Sequence, residues 1–596
     1  MSNTSGPTLC DFVAKMPSRS NERPAYRTKQ KGQWKSISWG EYAEQVRDLS
    51  CSFLEAGLKP GDKIAIMAGT RWEWSVTDLA TLCCHGVTVP IYQTVTPEDL
   101  EFTLNNSGAR ILILENRAMM KTYLQVRQNC PKVEKILLLE NVRDEDTEFS
   151  SFQEFLKTGA KLREKHSALF EERRDSVTLD DDATLIYTSG TTGRPKGVML
   201  THTQIMSEIS EAFPYVGAHA DDISLTFLPY AHVMGRIEHW GHVYVGFTMA
   251  YAESIERVRT NLLEIRPTIM VAVPRIFEKV YAAIQTQIEA QPWRKKIFAQ
   301  AMKIGQKVSE ARVRHEPLPL ALGLIDQVAQ RLVLGRVKAA FGGRLRFAIS
   351  GGAPISPDIV RFFHACDILI LEGYGLTETT AAICVNTPYD YEFGTVGKPI
   401  GETQIKIAED GEILVKSKKV MKDYFEDPAE TAKVFTDGWY HTGDIGEFTP
   451  SGNLKITDRK KDLIKTAGGK YVAPQLLENL LKHDPLVSQV LVHGDQKKYV
   501  VALLTLDRPL LEKFARDRGL NESNIEALTQ DPKVLEAVRQ IVADANSRLA
   551  SYESIKRFAV LPTEFTVEAG ELTPSLKIKR KYVDQKYRNQ IEKLYS

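Results

Sequence analysis

Short apolar runs of strand type alternate with longer amphipathic stretches through the first half of the chain. Lys63–Ala68 reads as a buried strand, Trp72–Cys84 carries apolar residues at helical spacing, and Ile111–Leu114 is strand-like again. This alternation predicts an α/β body. Between about residues 388 and 456 the texture changes: Thr403–Ile407 and Glu412–Val415 flank Asp410-Gly411, a strong hairpin signal. That stretch reads as a β-rich, barrel-like module appended to the body. Beyond the charged run Asp458-Arg459-Lys460-Lys461-Asp462 lie further strands, Gln489–His493 and Tyr499–Leu506, and helices near 472–482 and 532–549. The pattern therefore predicts a large N-terminal α/β domain, 1–459, followed by a small α+β C-terminal domain, 460–596. Segments 286–340 and 507–550 are helical in pattern and carry no recognisable chemistry.

The 596 residues, 43% hydrophobic and 26% charged, suffice for more than one core. Lysine and arginine number 77 against 76 acidic residues, so no global field argues for nucleic acid, and an anionic ligand must be met by a local site. Seven cysteines without a C-x-x-C pair read as buried or free thiols of a reducing compartment. The polar N-terminus lacks the apolar core of a signal peptide, and the longest apolar runs fall far short of the about 20 residues that cross a bilayer. A cytoplasmic location is expected, compatible with peripheral association at the inner membrane face.

Candidate chemistry begins after the apolar run Thr184–Tyr187. Thr188-Ser189-Gly190-Thr191-Thr192-Gly193-Arg-Pro-Lys196-Gly197 puts hydroxyls, glycines and a lysine into one short loop. Glycines allow close backbone approach, hydroxyls and backbone N–H groups donate to phosphate oxygens, and Lys196 supplies a point charge. The spacing is not that of a Walker loop, because Gly197 follows the lysine. A plain turn between two strands is the alternative, and so specific a string disfavours it.

The string resembles the phosphate loop of the adenylate-forming superfamily, in particular its long-chain fatty acid–CoA ligase branch. Other motifs follow in the family's order. Ser350-Gly351-Gly352-Ala353-Pro354 resembles the adenine-side loop, and Glu372-Gly373-Tyr374-Gly375-Leu-Thr377-Glu378-Thr resembles the central nucleotide motif. The resemblance implies that Tyr374 stacks on adenine, Thr377 bonds a phosphate and Glu378 holds Mg2+. It assigns Asp444, in Tyr440-His-Thr-Gly-Asp444, to the ribose hydroxyls, Arg459 to ribose or phosphate, and Lys461 to a hinge that makes the small domain mobile. Gly468-Gly469-Lys470 falls on the face that closes during thioester formation. Leu572-Thr-Pro-Ser-Leu-Lys577-Ile-Lys579 departs from many members, having Leu576 where glycine is common; Lys577 is the expected catalytic lysine and Lys579 its competitor. His232, in Leu228-Pro-Tyr-Ala-His232, would border the acyl carboxylate, against the alternative of a structural histidine. The likeness runs from Trp39-Gly40-Glu41-Tyr42 to Lys577.

What the resemblance implies is an ATP-dependent ligase. A carboxylate is a poor acyl donor; attack on the α-phosphorus of ATP expels pyrophosphate and gives an acyl-adenylate, with Mg2+ on Glu378, Lys196 and Lys577 offsetting charge on the phosphoryl oxygens. The thiol of coenzyme A then takes the acyl group. The expected partners are small molecules, a fatty acid, ATP and coenzyme A, and an apolar stretch such as 240–250 could wall an acyl tunnel. Competing readings are a fatty acyl-AMP ligase that loads a carrier-protein thiol, a luciferase-like oxygenase, and a silent nucleotide-binding scaffold.

Overall fold

The computed structural model describes residues 6–596 except 21, 141, 143–147, 189–193, 290–291, 468–469, 522–523, 568 and 574–576. By backbone proximity the chain forms two compact units, residues 1–405 with 415–440, and residues 406–414 with 441–596.

Two sheets dominate the first unit. One runs, in spatial order among the described residues, Asp423–Tyr424, Lys196–Thr201, Asp182–Thr188, Val87–Ile91, Lys63–Met67, Ile111–Leu114, Lys135–Leu138 and Ser150–Ser151. Its centre is parallel, while the Asp182–Thr188 and Lys196–Thr201 pair is antiparallel. Helices cover it, so its strands are buried on both faces and read as near-continuous apolar runs. The other sheet runs Lys398–Pro399, Ala381–Val385, Ile370–Leu376, Phe347–Ser350, Ile269–Ala272, Ile223–Thr226, Thr248–Tyr251, Tyr26–Gln30 and Gln33–Ile37. It packs on helices Pro274–Glu289, Pro292–Val313 and Pro357–Ala365 through Phe277, Phe341, Phe362 and Phe363.

Helix starts follow local chemistry. The Ser38 hydroxyl accepts from the Glu41 backbone N–H at 3.2 Å, while the Glu41 carboxylate accepts from Ser38 N at 2.7 Å. This capping box opens helix Trp39–Glu55, so Glu41 in the Trp39–Tyr42 string is spent on the helix start.

In the second unit, strands Val487–His493, Val500–Leu506 and Ile555–Leu561 form one sheet. Side-chain alternation sends Val490, Val492, Ala502 and Leu504 to one core, with helices Pro474–Leu481 and Pro532–Asn546. Leu491, Val501 and Leu503 go to a second core, with Val583 and Ile591 of the C-terminal helices. The expected turn at Asp410-Gly411 is present: Asp410 Oδ1 accepts from Glu412 N at 3.1 Å, and Gly411 takes φ +84°, where a side chain would strain the backbone. Strand Trp439–Phe448 carries the chain from the first unit into the second. All seven cysteines are free thiols and buried.

Candidate active site

Lys196 opens the strand Lys196–Thr201, opposite Thr188 of Asp182–Thr188, whose hydroxyl donates to the Lys196 carbonyl at 3.4 Å. The two residues thus hold the ends of the loop; Ser189, Gly190, Thr191, Thr192 and Gly193 lie outside the described residues. The strand's edge is taken by Asp423–Tyr424, with Tyr424 opposite Val198 and the Phe425 N–H on the Gly197 carbonyl at 2.8 Å. This register stands the Lys196 ammonium over the Tyr424 ring, 5.2 Å from its centre, and against the Glu430 carboxylate. Lys196, with Lys433 second, pulls Glu430 down to about 2, so the Lys196 side chain faces an ionised carboxylate.

Glu378 sits in the short 3-10 turn Thr377–Thr379 after the strand Ile370–Leu376. Its Oε1 accepts from the Tyr424 hydroxyl at 2.9 Å, and its backbone carbonyl accepts from Met421 N at 2.7 Å. The Tyr440 hydroxyl lies within the field of Glu378, Tyr424 and Tyr374; burial foremost, then these neighbours, raises it far above an ordinary phenol. Lys196 and Glu378, read separately from two motifs, are thereby joined through Tyr424, and Tyr374 lies within the electrostatic reach of Tyr440. Gly375 must be glycine, since a Cβ there would lie 1.3 Å from the Ala381 carbonyl oxygen. That close approach bulges the Ile370–Leu376 strand between Tyr374 and Gly375 as it pairs with Ala381–Val385.

Upstream in the same strand Glu372 stands opposite Ser350, the last residue of Phe347–Ser350. Burial pushes the Glu372 carboxyl up to about 8, with one restraining hydrogen bond from Gly394 N at 3.2 Å. The buried Ser350 hydroxyl has no partner among the described residues. Gly351, Gly352 and Ala353 turn the chain away from this strand, and Met234 packs where a Gly351 Cβ would stand, 3.2 Å off. His232 caps the helix Val233–Val245, its Nδ1 accepting from Met234 N at 3.2 Å. The structure gives this histidine a capping role, two residues from the side chain that underlies the glycine loop.

In the second unit Asp444 and Arg459 face each other across paired strands, with Arg459 Nε 3.0 Å from Asp444 Oδ1. Lys460 is paired with Glu412 at 2.8 Å and Asp410 at 2.6 Å, which makes it a structural charge. Lys461 and Lys470 are exposed, Lys470 lying 5.9 Å from the Tyr552 ring centre. Thr573 N donates to the Lys577 carbonyl at 2.8 Å, Lys577 N donates to the Thr573 hydroxyl at 3.0 Å, and Lys577 is exposed. Lys579 stands at the start of helix Arg580–Lys586, its N–H on the Glu571 carbonyl at 2.8 Å.

Sequence reasoning missed Tyr424 and Glu430. Neither sits in a recognised phosphate motif, and only the register of a two-residue edge strand brings them to Lys196. Among the described residues no cluster of three or more His, Cys, Asp or Glu could by itself hold a metal. A single carboxylate such as Glu378 suits Mg2+, which keeps waters and takes one or two protein carboxylates together with substrate phosphates.

Comparison with known proteins accords with this geometry. The AMP-binding enzyme family matches residues 13–425, and the C-terminal domain of AMP-binding enzymes matches residues 461–596. The long-chain-fatty-acid–CoA ligase FadD15 of Mycobacterium bovis is 36% identical over 572 residues, covering 95% of this chain and 93% of its own. Long-chain-fatty-acid–CoA ligase 6 of Mus musculus is 30% identical, covering 94% and 82%. The solved structure of the A-PCP didomain of carboxylic acid reductase from Segniliparus rugosus in complex with AMP superposes with a TM-score of 0.74 at 21% identity, covering 100% of this chain and 82% of that one. The phosphate-loop strands, the carboxylate-bearing turn and these matches together place the chain in the AMP-binding enzyme family of adenylate-forming enzymes.

Proposed function

We propose that the chain is a long-chain fatty acid–CoA ligase that uses ATP to form acyl-AMP and transfers the acyl group to coenzyme A, releasing AMP and pyrophosphate. The observation that carries the reading is the convergence of Lys196 and Glu378 on Tyr424, which sets one cation and one carboxylate on the same side chain, the pair that a polyphosphate and its Mg2+ call for. Similarity to ligases named for long-chain fatty acids over 94–95% of the chain supports the substrate class.

In this reading Lys196 exchanges Glu430 for phosphate oxygens and Tyr374 offers its ring to the adenine. Thr377 lies beside Glu378, which would hold Mg2+, and that ion would neutralise charge on the phosphates. Glu372, neutral near pH 7, can donate a hydrogen bond into the base or acyl side of the site, as can the unpartnered Ser350 hydroxyl. Asp444, held in place by Arg459, presents a carboxylate to the ribose diol. Lys577 is the lysine that meets the reacting carboxylate and α-phosphate. The half-reactions need different groups at one carbonyl, first a lysine and then a thiol, and a boundary at 459/460 with Lys461 as hinge lets a small domain, 460–596, serve each in turn.

Substitution Tyr424→Phe tests the metal side of the reading. Loss of the hydroxyl that orients Glu378 should raise the Mg2+ needed for half-maximal AMP release by about tenfold, as loss of a partner behind a metal ligand does. Glu378→Gln should exceed it. An unchanged Mg2+ requirement in both variants would remove Glu378 from the metal site.

A further inference from the structure

Segment 292–340 takes no part in the chemistry above, yet its surface is unusual. Helix Pro292–Val313 returns through 314–319 into helix Leu320–Ala329, which continues as a π-helical turn, Gln330–Leu334. One side of the second helix is anchored: Asp326, Ala329, Leu334 and Val337 are buried, and Leu334 lies 3.0 Å from where a Gly305 Cβ would stand. The other side is apolar and uncovered. Leu320, Leu324, Val328 and Leu332 recur at every fourth position with Ile325 beside them, and each is between 51% and 89% exposed. On a helix this spacing makes one continuous stripe, roughly 18 Å long at the usual rise. Trp293 and Ile297, in the first turns of the preceding helix, are also at least half exposed. Single exposed leucines are ordinary, whereas an unbroken stripe marks a surface that meets an apolar partner.

Charge identifies the partner. Residues 292–340 hold ten lysines and arginines against three acidic residues, although the whole chain nets only +1. Arg312 and Lys338 are paired with Asp367, but Lys303, Lys307 and Arg331 are exposed on the same helical hairpin and Arg336 just beyond it. Among the described residues no helix is long and apolar enough to cross a membrane. An apolar stripe with basic flanks, on helices too short and too charged to span, is the composition of an interfacial membrane helix. A second copy of this chain would have to bring a surplus of like charge to the same face.

We propose that the helical hairpin 292–334 docks the protein on the surface of an anionic lipid bilayer, with Leu320, Leu324, Val328 and Leu332 entering the headgroup boundary and the lysines and arginines facing lipid phosphates. Docking there would bring the enzyme to the phase in which long-chain acids dissolve, but it stands on the stripe and the charge and needs no catalytic assignment.

Sedimentation of the full chain with vesicles tests it, since the readout needs no turnover. The chain should sediment with vesicles containing about a third phosphatidylglycerol, weakly with pure phosphatidylcholine, and less as salt is raised. The variant Leu324→Ser/Val328→Ser/Leu332→Ser should lose about tenfold in partition or more while keeping its melting temperature, because the side chains are exposed. Lys303→Glu/Lys307→Glu should weaken anionic binding by about 25-fold or more, since each charge removed costs about fivefold and reversal costs more. Equal partition of wild type and the serine variant would overturn the proposal. So would absence of binding to either vesicle, above all if the wild type formed a concentration-dependent dimer that the serine variant lost, which would give the stripe to a second copy.

Discussion

The carboxyl of Glu372 shows how burial sets chemistry at a single residue. A surface glutamate ionises near 4.5, whereas burial, opposed only by the Gly394 N–H, pushes this one up to about 8. Between those values the folded chain keeps a proton that the unfolded chain releases. Its contribution to stability is complete below about pH 4.5 and is lost as pH rises through about 8. Urea unfolding of the wild type should therefore weaken across that window by up to about 1.4 kcal/mol per pH unit from this group. Glu372→Gln should remove that component, and parallel pH–stability curves for the two proteins would contradict the assignment. Lys196 and Glu378 were legible in the sequence because each sits in a short string whose residue types already state a task. Glu430 was not: it lies 234 positions from Lys196, and a distance set by edge-strand register leaves no local trace.

At the scale of elements, the same turn that carries Glu378 is pinned by a buried charge cluster. Lys419, fully buried, lies 3.1 Å from both Glu208 and Glu211 of helix His202–Tyr215, and its carbonyl accepts from the Thr380 hydroxyl at 2.7 Å. Glu208 also accepts from Ala382 N at 3.0 Å. Burial pushes Glu208 up to about 7 even with Lys419 beside it, so removing the lysine strands a buried carboxyl. Lys419→Met should cost about 3 kcal/mol or more in urea unfolding, and Glu208→Gln in the same chain should recover much of the loss. A cost below about 1 kcal/mol would mean the cluster is solvated like a surface pair.

Element type was largely readable, since strands such as Ile111–Leu114 and helices such as Pro532–Asn546 follow from periodicity. What helix Val233–Val245 packs against was not. The stretch 240–250 reads as a candidate tunnel wall; at its start Trp240 Nε1 donates to Asp78 at 2.8 Å, and Arg236 lies between Trp74 and Trp240 with 2.7 Å to the same carboxylate. A buried ionic network and an acyl cavity draw on the same large side chains, and composition does not separate them.

For the whole molecule, the order of motifs along the chain carried more than any one of them, and the family matches over 13–425 and 461–596 follow that order. The strand-rich stretch near 388–456 was visible from its turns, but the structure divides its residues between the two units, because strand Trp439–Phe448 belongs partly to each. Pattern along a chain fixes which residues extend, while cross-strand pairing decides which body they join. The proposed reaction runs in two steps on one acid. Its most direct test is AMP release by the purified protein with ATP and Mg2+ on acetate, octanoate, palmitate and oleate, each with and without coenzyme A. Rapid turnover confined to the long acids and dependent on coenzyme A is the predicted result; AMP release indifferent to coenzyme A, or none on any acid, would contradict it.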